Sequence, residues 1–103
     1  MTAIQLEDLG LCEKGAAPGF IRRHTFTTDG GFPINTSGGQ LSVGLAGYAA
    51  GFSGRVEAIW QLTGRNLAKP VPEARFGLAV CYYMITYDRG RYSAAAILSS
   101  SHA

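Results

Sequence analysis

Residues Gly30 to Gly54 read GGFPINTSGGQLSVGLAGYAAGFSG, 25 consecutive positions without a charge. The run joins a polar, glycine-rich turn, Asn35-Thr36-Ser37-Gly38-Gly39, to a pattern of helical period. From Gln40 or Leu41 to near Gly64, the apolar residues Leu41, Leu45, Ala49, Phe52, Val56, Ile59 and Trp60 line one side, mostly at spacings of three and four. Gly44, Gly47, Gly51 and Gly54 line another, at spacings of three, four and three. Each glycine in a helix interior costs about 1 kcal/mol relative to alanine. A neighbouring element must therefore approach that side closely enough to compensate. A helix apolar on one side and glycine-lined on another is expected to be covered on both, as a central helix between layers.

The chain has 103 residues, enough for one modest domain. Charged residues make up 16%, below the usual quarter, against 47% hydrophobic. So few charges cover a small surface poorly. The chain is therefore expected to pack against another chain or to be a piece of a larger domain. The net charge of +2 and the scattered basic residues argue against a nucleic-acid partner. The start, MTAIQLEDLG, carries acids where a secretory leader has a basic and then an apolar stretch. With Cys12 and Cys81 as the two cysteines, a reduced cytoplasmic protein is expected. Leu41 to Phe52 is too short to span a bilayer, which takes about 20 residues.

Elsewhere, Thr2 to Gly10 has helical spacing through Ile4, Leu6 and Leu9, with Gly10 as a stop. Cys12 to Gly31 holds the breakers Gly15, Pro18, Gly19, Asp29, Gly30 and Gly31 and predicts irregular chain. Within it, Phe20 to Thr28 alternates weakly, as an extended edge would. Phe32 to Asn35 predicts a brief strand, and Asn66 to Glu73, with Pro70 and Pro72, a loop. Phe76 to Ile85 is nearly continuously apolar, the pattern of a strand buried on both faces. Asp88-Arg89-Gly90 signals a turn, and Tyr92 to Ser99 a second strand, so the end of the chain predicts a hairpin.

The order NTSGG, glycine-lined helix, VEAIWQLTGR resembles the C-terminal part of thiolase-like proteins, of the sterol-carrier and lipid-transfer type. These commonly carry a stretch like N-P-S-G-G-L-x-S-x-G-H-P-x-G-A-x-G before a helix ending Q-L-x-G. Here the stretch runs from Asn35 through Ser37, Gly38, Gly39 and Gly44 to Gly47. The upstream LEDLGLCEKG resembles the segment before the family's glycine-rich loop, and FGLAVCYYMITYDRGRYSAAAIL its closing strands. Nearly the whole chain is covered. The resemblance implies an α/β fold: part of a thiolase-like C-terminal half, with a mixed sheet, a central buried helix and some elements missing. It implies acyl transfer or carbon–carbon cleavage on coenzyme A thioesters, with coenzyme A as substrate and no separate cofactor. There, a cysteine takes the acyl group and an acid/base pair moves the alpha proton. That nucleophile belongs to the N-terminal half. The implied partners are thus acyl-CoA and a thiolase-like N-terminal half or another thiolase-like chain, in an oligomer.

One departure bears on the chemistry. Where the family's G-H-P element places a histidine base, this chain has Leu45, followed by Ala46. Leucine neither hydrogen-bonds nor transfers a proton. Cys81, in FGLAVCYYM, lies close to where many thiolases place a second cysteine that acts as acid or base. A buried, inert core cysteine has the same appearance in a sequence. Tyr82 and Tyr83 replace the usual glycine-rich surroundings, and their rings would block or reshape a pocket. Asn35, Ser37, Gly38 and Gly39 precede a helix, where backbone N–H groups can hold an anion or oxyanion. Ser37 or Thr36 would equally serve as an N-cap. By the resemblance, Gly44 and Leu45 join them in lining the substrate site. His24, in Arg22-Arg23-His24, is expected on the surface. Cys12, Cys81 and His24 lack metal-ligand spacing. Three functions remain open: a portion of a thiolase-like enzyme, a non-catalytic thiolase-like partner or lipid-binding remnant, and an unrelated small α/β binding module.

Overall fold

The computed structural model describes residues 2–39, 51–65, 69–86 and 89–100, with the backbone alone for 82–91. The element order is α1 (Thr2–Asp8), α2 (Ala17–Arg23), α3 (Phe52–Leu62), β1 (Phe76–Thr86) and β2 (Arg89–Ser99). The α/β class is as expected. The chain divides into two compact units, Met1–Ile34 and Asn35–Ala103.

In the first unit, α1 ends where the glycine predicts. Gly10 has φ +72°. Its N–H donates to the Glu7 carbonyl at 3.1 Å and the Leu11 N–H to the Leu6 carbonyl at 3.0 Å, the paired bonds of a Schellman stop. The next segment corrects the sequence reading. Residues 17–23 are helical, neither irregular nor an extended edge. Pro18 occupies the first turn of α2, where its missing N–H has no intrahelical partner to lose. Ala16 provides no side-chain cap. Glu7 substitutes from α1, its carboxylate accepting the Ala17 N–H at 3.2 Å, a favourable place for negative charge. Leu6, Ala17 and Phe20 are buried.

After α2 the chain folds back on itself. Phe32 N–H donates to the Thr25 carbonyl and Ile34 N–H to the Phe26 carbonyl, both at 3.1 Å. Phe32–Asn35 is nonetheless not a strand: two bonds hold it, and Asn35 turns out of the extended region at φ +50°. Gly30 is required at this fold. A β-carbon there would stand 2.4 Å from the Thr25 carbonyl oxygen.

In the second unit, α3 also ends as predicted. Gly64 has φ +68°, and Gly64 N–H to Gln61 carbonyl (3.4 Å) and Arg65 N–H to Trp60 carbonyl (2.8 Å) form another Schellman pair. The predicted start at Gln40 or Leu41, with Leu41, Gly44, Leu45, Gly47 and Ala49, lies outside the described residues, as do Asn66 to Ala68 of the predicted loop and Asp88 of the turn. β1 and β2 pair antiparallel from Phe76↔Ser99 to Thr86↔Arg89. The strands are thus linked by two residues, and Arg89 and Gly90, expected in the turn, belong to β2. The expected mixed sheet is, among the described residues, this two-stranded antiparallel one.

α3 packs on the hairpin, chiefly on β1. The covered face of β1 carries small residues. A β-carbon on Gly77 would stand 3.2 Å from the Ala58 β-carbon. Ala79 and Cys81 follow at period two on the same face. Phe76, Leu78 and Val80 alternate to the other face and are exposed, Phe76 to 73%, as is Ile97 opposite Leu78 at 77%. The apolar run is therefore covered on one face among the described residues, not on both. α3 is likewise covered from one side. None of its residues is buried, and Phe52 and Trp60 are 62% and 49% exposed. No helix among the described residues is long and apolar enough to cross a membrane.

Candidate functional site

The expected site residues that are described attach to one scaffold, α3 with β1. Cys81 sits on the helix-facing side of β1, half-buried and with a free thiol. A β-carbon built on Gly51, at the start of α3, would lie 3.6 Å from the Cys81 β-carbon and 3.9 Å from its Sγ. The described part of the glycine seam thus divides. Gly51 faces Cys81, whereas a β-carbon on Gly54 would meet nothing within 4 Å among the described residues. The side chains of Tyr82 and Tyr83, expected to block or reshape a pocket, lie outside the described residues.

The turn is built from backbone that glycine favours. Gly38 and Gly39 both have φ +82°, following Asn35 at +50°. Gly38 N–H donates to the Asn35 carbonyl at 2.8 Å, closing the turn. The Thr36 hydroxyl donates to the Glu57 carboxylate at 2.6 Å. Capping by Thr36 or Ser37 concerns a helix start outside the described residues.

Glu57 is a junction that sequence reasoning missed. Its Oε1 accepts from Thr36 and also from Gln61 Nε2 at 2.9 Å. The second Nε2 hydrogen of Gln61 serves the Lys69 carbonyl at 2.9 Å, and Gln61 Oε1 accepts the Val71 N–H at 2.8 Å. One amide thereby ties α3 to the loop after it, and one carboxylate ties α3 to the turn before it. The spacing of Glu57 and Gln61 at i and i+4 was the one available signal. Cys81 and the turn meet α3 at different levels. Gly51 and Glu57 are six residues apart, about 9 Å along the axis.

His24 is not a simple surface residue. It is half-buried, its ring stacked on Phe20 at 3.9 Å between centroids and edge-on to Phe32 at 5.6 Å. Its Nδ1 is 2.8 Å from the Phe20 carbonyl, so Nδ1 carries the donated hydrogen. Phe20, Phe26 and Phe32 complete the cluster. The sequence hid it because its members are divided between a helix and a loop that returns to it. Two exposed groups in the same unit have shifted pKa values. The Asp8 carboxylate beside Lys14 holds its ammonium above the usual range. A hydrogen bond from Thr27 holds Asp29 below the usual carboxylate value.

The family model described as thiolase C-terminal domain-like matches residues 1–86. The chain belongs to this thiolase family. The chain is 44% identical over 66 residues to 17-hydroxy-3-oxo-4-pregnene-20-carboxyl-CoA lyase of Mycobacterium tuberculosis, covering 64% of this chain and 16% of that protein. It is 37% identical over 75 residues to sterol carrier protein 2 of Bos taurus, covering 73% of this chain and 14% of the other. To acetyl-CoA acetyltransferase of Methanothermobacter thermautotrophicus it is 33% identical over 75 residues, covering 73% and 20%. The matched region thus spans a fifth or less of these curated relatives. No solved structure matches the chain.

Proposed function

We propose that this chain contributes to acyl transfer or carbon–carbon cleavage on coenzyme A thioesters, within an assembly whose N-terminal half supplies the nucleophilic cysteine. The observation that carries the reading is the position of Cys81. Its thiol lies between the start of α3 and β1, opposite a glycine, so no side chain of Gly51 covers it. There it acts as the acid or base that exchanges a proton with the alpha carbon. The turn of Asn35, Ser37, Gly38 and Gly39, with Gly44 and Leu45, binds the thioester. The names of the relatives support this: one is a lyase of a carboxyl-CoA and one an acetyl-CoA acetyltransferase. The partner is a thiolase-like N-terminal half or a second thiolase-like chain, the assembly an oligomer, and the compartment the cytoplasm.

The 103-residue chain alone, given acetoacetyl-CoA and coenzyme A, is expected to show no thiolysis; clear turnover would overturn the requirement for a partner. In the assembly, Cys81→Ser is expected to lower turnover by about 10²-fold or more, the usual contribution of a positioned acid or base. Unchanged turnover would return Cys81 to a packing role.

Leu45 favours a second reading, since it removes the histidine base the family places there. On it the chain is a non-catalytic thiolase-like partner or a lipid-binding element. An assembly that binds acyl-CoA without turning it over, and whose turnover is not created by Leu45→His, would select this reading.

A further inference from the structure

We infer that Glu57 and Gln61 are positioning residues for the turn 35–39. They lock it to α3 and, through the same chain of bonds, to the loop at 69–71. The purpose of this lock rests on the reading above, in which the turn binds acyl-CoA.

The geometry is a relay with each hydrogen accounted for. Thr36 Oγ1 donates to Glu57 Oε1, which also accepts from Gln61 Nε2. The remaining Nε2 hydrogen goes to the Lys69 carbonyl, and Gln61 Oε1 takes the Val71 N–H. The two ends determine the orientation of the amide, because a carbonyl needs a donor and an N–H needs an acceptor. The bonds to the carboxylate are charge-assisted, the stronger class. Asn35, Gly38 and Gly39 all lie at positive φ, so their conformations owe little to steric preference and much to the bonds at their ends. Held at Thr36, the turn keeps one arrangement of its backbone N–H groups before any ligand arrives, which lowers the ordering cost of binding. Neither Glu57 nor Gln61 needs to touch the ligand.

The relay makes two distant amides interdependent. Gly38 N–H is bonded within the turn and does not touch Gln61. Val71 N–H is bonded to Gln61 and does not touch Thr36. Amide hydrogen exchange of the 103-residue chain therefore tests the coupling directly. Glu57→Ala is expected to speed exchange at Gly38 by about tenfold, the factor a lost charge-assisted bond carries. Gln61→Leu is expected to speed it at Gly38, beyond its own contacts. Thr36→Val, which leaves α3 intact, is expected to speed exchange at Val71. Glu57→Gln keeps an acceptor oxygen but loses the charge, and is expected to fall between the wild type and Glu57→Ala.

Affinity of the assembly for coenzyme A, by titration calorimetry, is expected to fall in Glu57→Ala and to be partly restored in Glu57→Gln. Unchanged exchange at Gly38 in both Glu57→Ala and Gln61→Leu overturns the inference. So does exchange at Val71 that ignores Thr36→Val, the variant that remains informative should the helix variants fail to fold. Coupled exchange in a wild-type chain whose assembly with the N-terminal half binds no coenzyme A supports the positioning role and overturns the acyl-CoA reading instead.

Discussion

The two units of this chain solve the burial problem differently. Residues 2–34 fold two seven-residue helices and a returning loop around Leu6, Ala17 and Phe20, all buried. The second unit holds longer elements, yet none of its described residues is buried. Its helix and hairpin cover each other along one face of small residues and leave Phe52, Trp60, Phe76 and Ile97 exposed. Element length and hydrophobicity therefore do not measure how well a segment is packed. A short segment with convergent side chains closes a core, whereas a hairpin against a helix has two outward faces.

The largest effect that tests this contrast is expected at Phe20. Phe20→Ala removes a buried ring that stacks on His24 and meets Phe32 edge-on. It is expected to cost the first unit about 3–5 kcal/mol, measured by denaturant unfolding followed at amides of residues 2–34. Phe76→Ala, at an exposed ring, is expected to change stability by less than about 0.5 kcal/mol in the same chain. A comparable loss at both would erase the contrast.

Gly30→Ala comes next. Its β-carbon would overlap a backbone oxygen, which cannot swing away as a side chain does. The expected cost is about 1–3 kcal/mol, confined to amides of the first unit. Gly77→Ala probes the other unit at its tightest seam. The 3.2 Å approach to Ala58 requires a small separation of α3 from β1, with an expected loss of up to about 1 kcal/mol. Gly54→Ala, which meets no described residue within 4 Å, is expected to stabilise slightly, since alanine is the better helix former. If Gly54→Ala destabilised more than Gly77→Ala, the assignment of open and closed sides would be reversed.

The smallest effect is a titration. Asp29 accepts a hydrogen bond from Thr27, which lowers its pKa. Because the folded value is depressed, the stabilisation is present above the unfolded pKa and is lost as pH falls through the folded pKa. Thr27→Val is expected to move the Asp29 midpoint upward, read by NMR, without moving amides of residues 51–65. An unmoved midpoint would remove Thr27 as the cause.

Terminators were legible because they are local. Gly10 and Gly64 stop helices through a positive φ that glycine adopts at no steric cost, and the hairpin followed from two apolar runs around a short polar link. α2 is not legible in the sequence because Pro18 and Gly19 read as breakers. Proline breaks a helix in its interior, where it removes a bond, and not in its first turn. The aromatic surroundings of His24 were only partly legible, since Phe32 reaches it only after the loop returns.

For the candidate site, residue identity marked Cys81 and the turn at Asn35 to Gly39, and the family match bore out the resemblance that singled them out. It did not reveal which neighbours hold them. What the amino-acid order determined by itself was the local: helix stops, strand alternation, the glycines that turns require, and the absence of a histidine at position 45. Only the tertiary structure decided that Gly51 faces Cys81 while Gly54 faces outward. The same holds for Thr36, Glu57 and Gln61 forming one relay. Hydrogen bonds and van der Waals contacts act over a few ångströms, so their partners depend on which segments the fold brings together rather than on spacing along the chain.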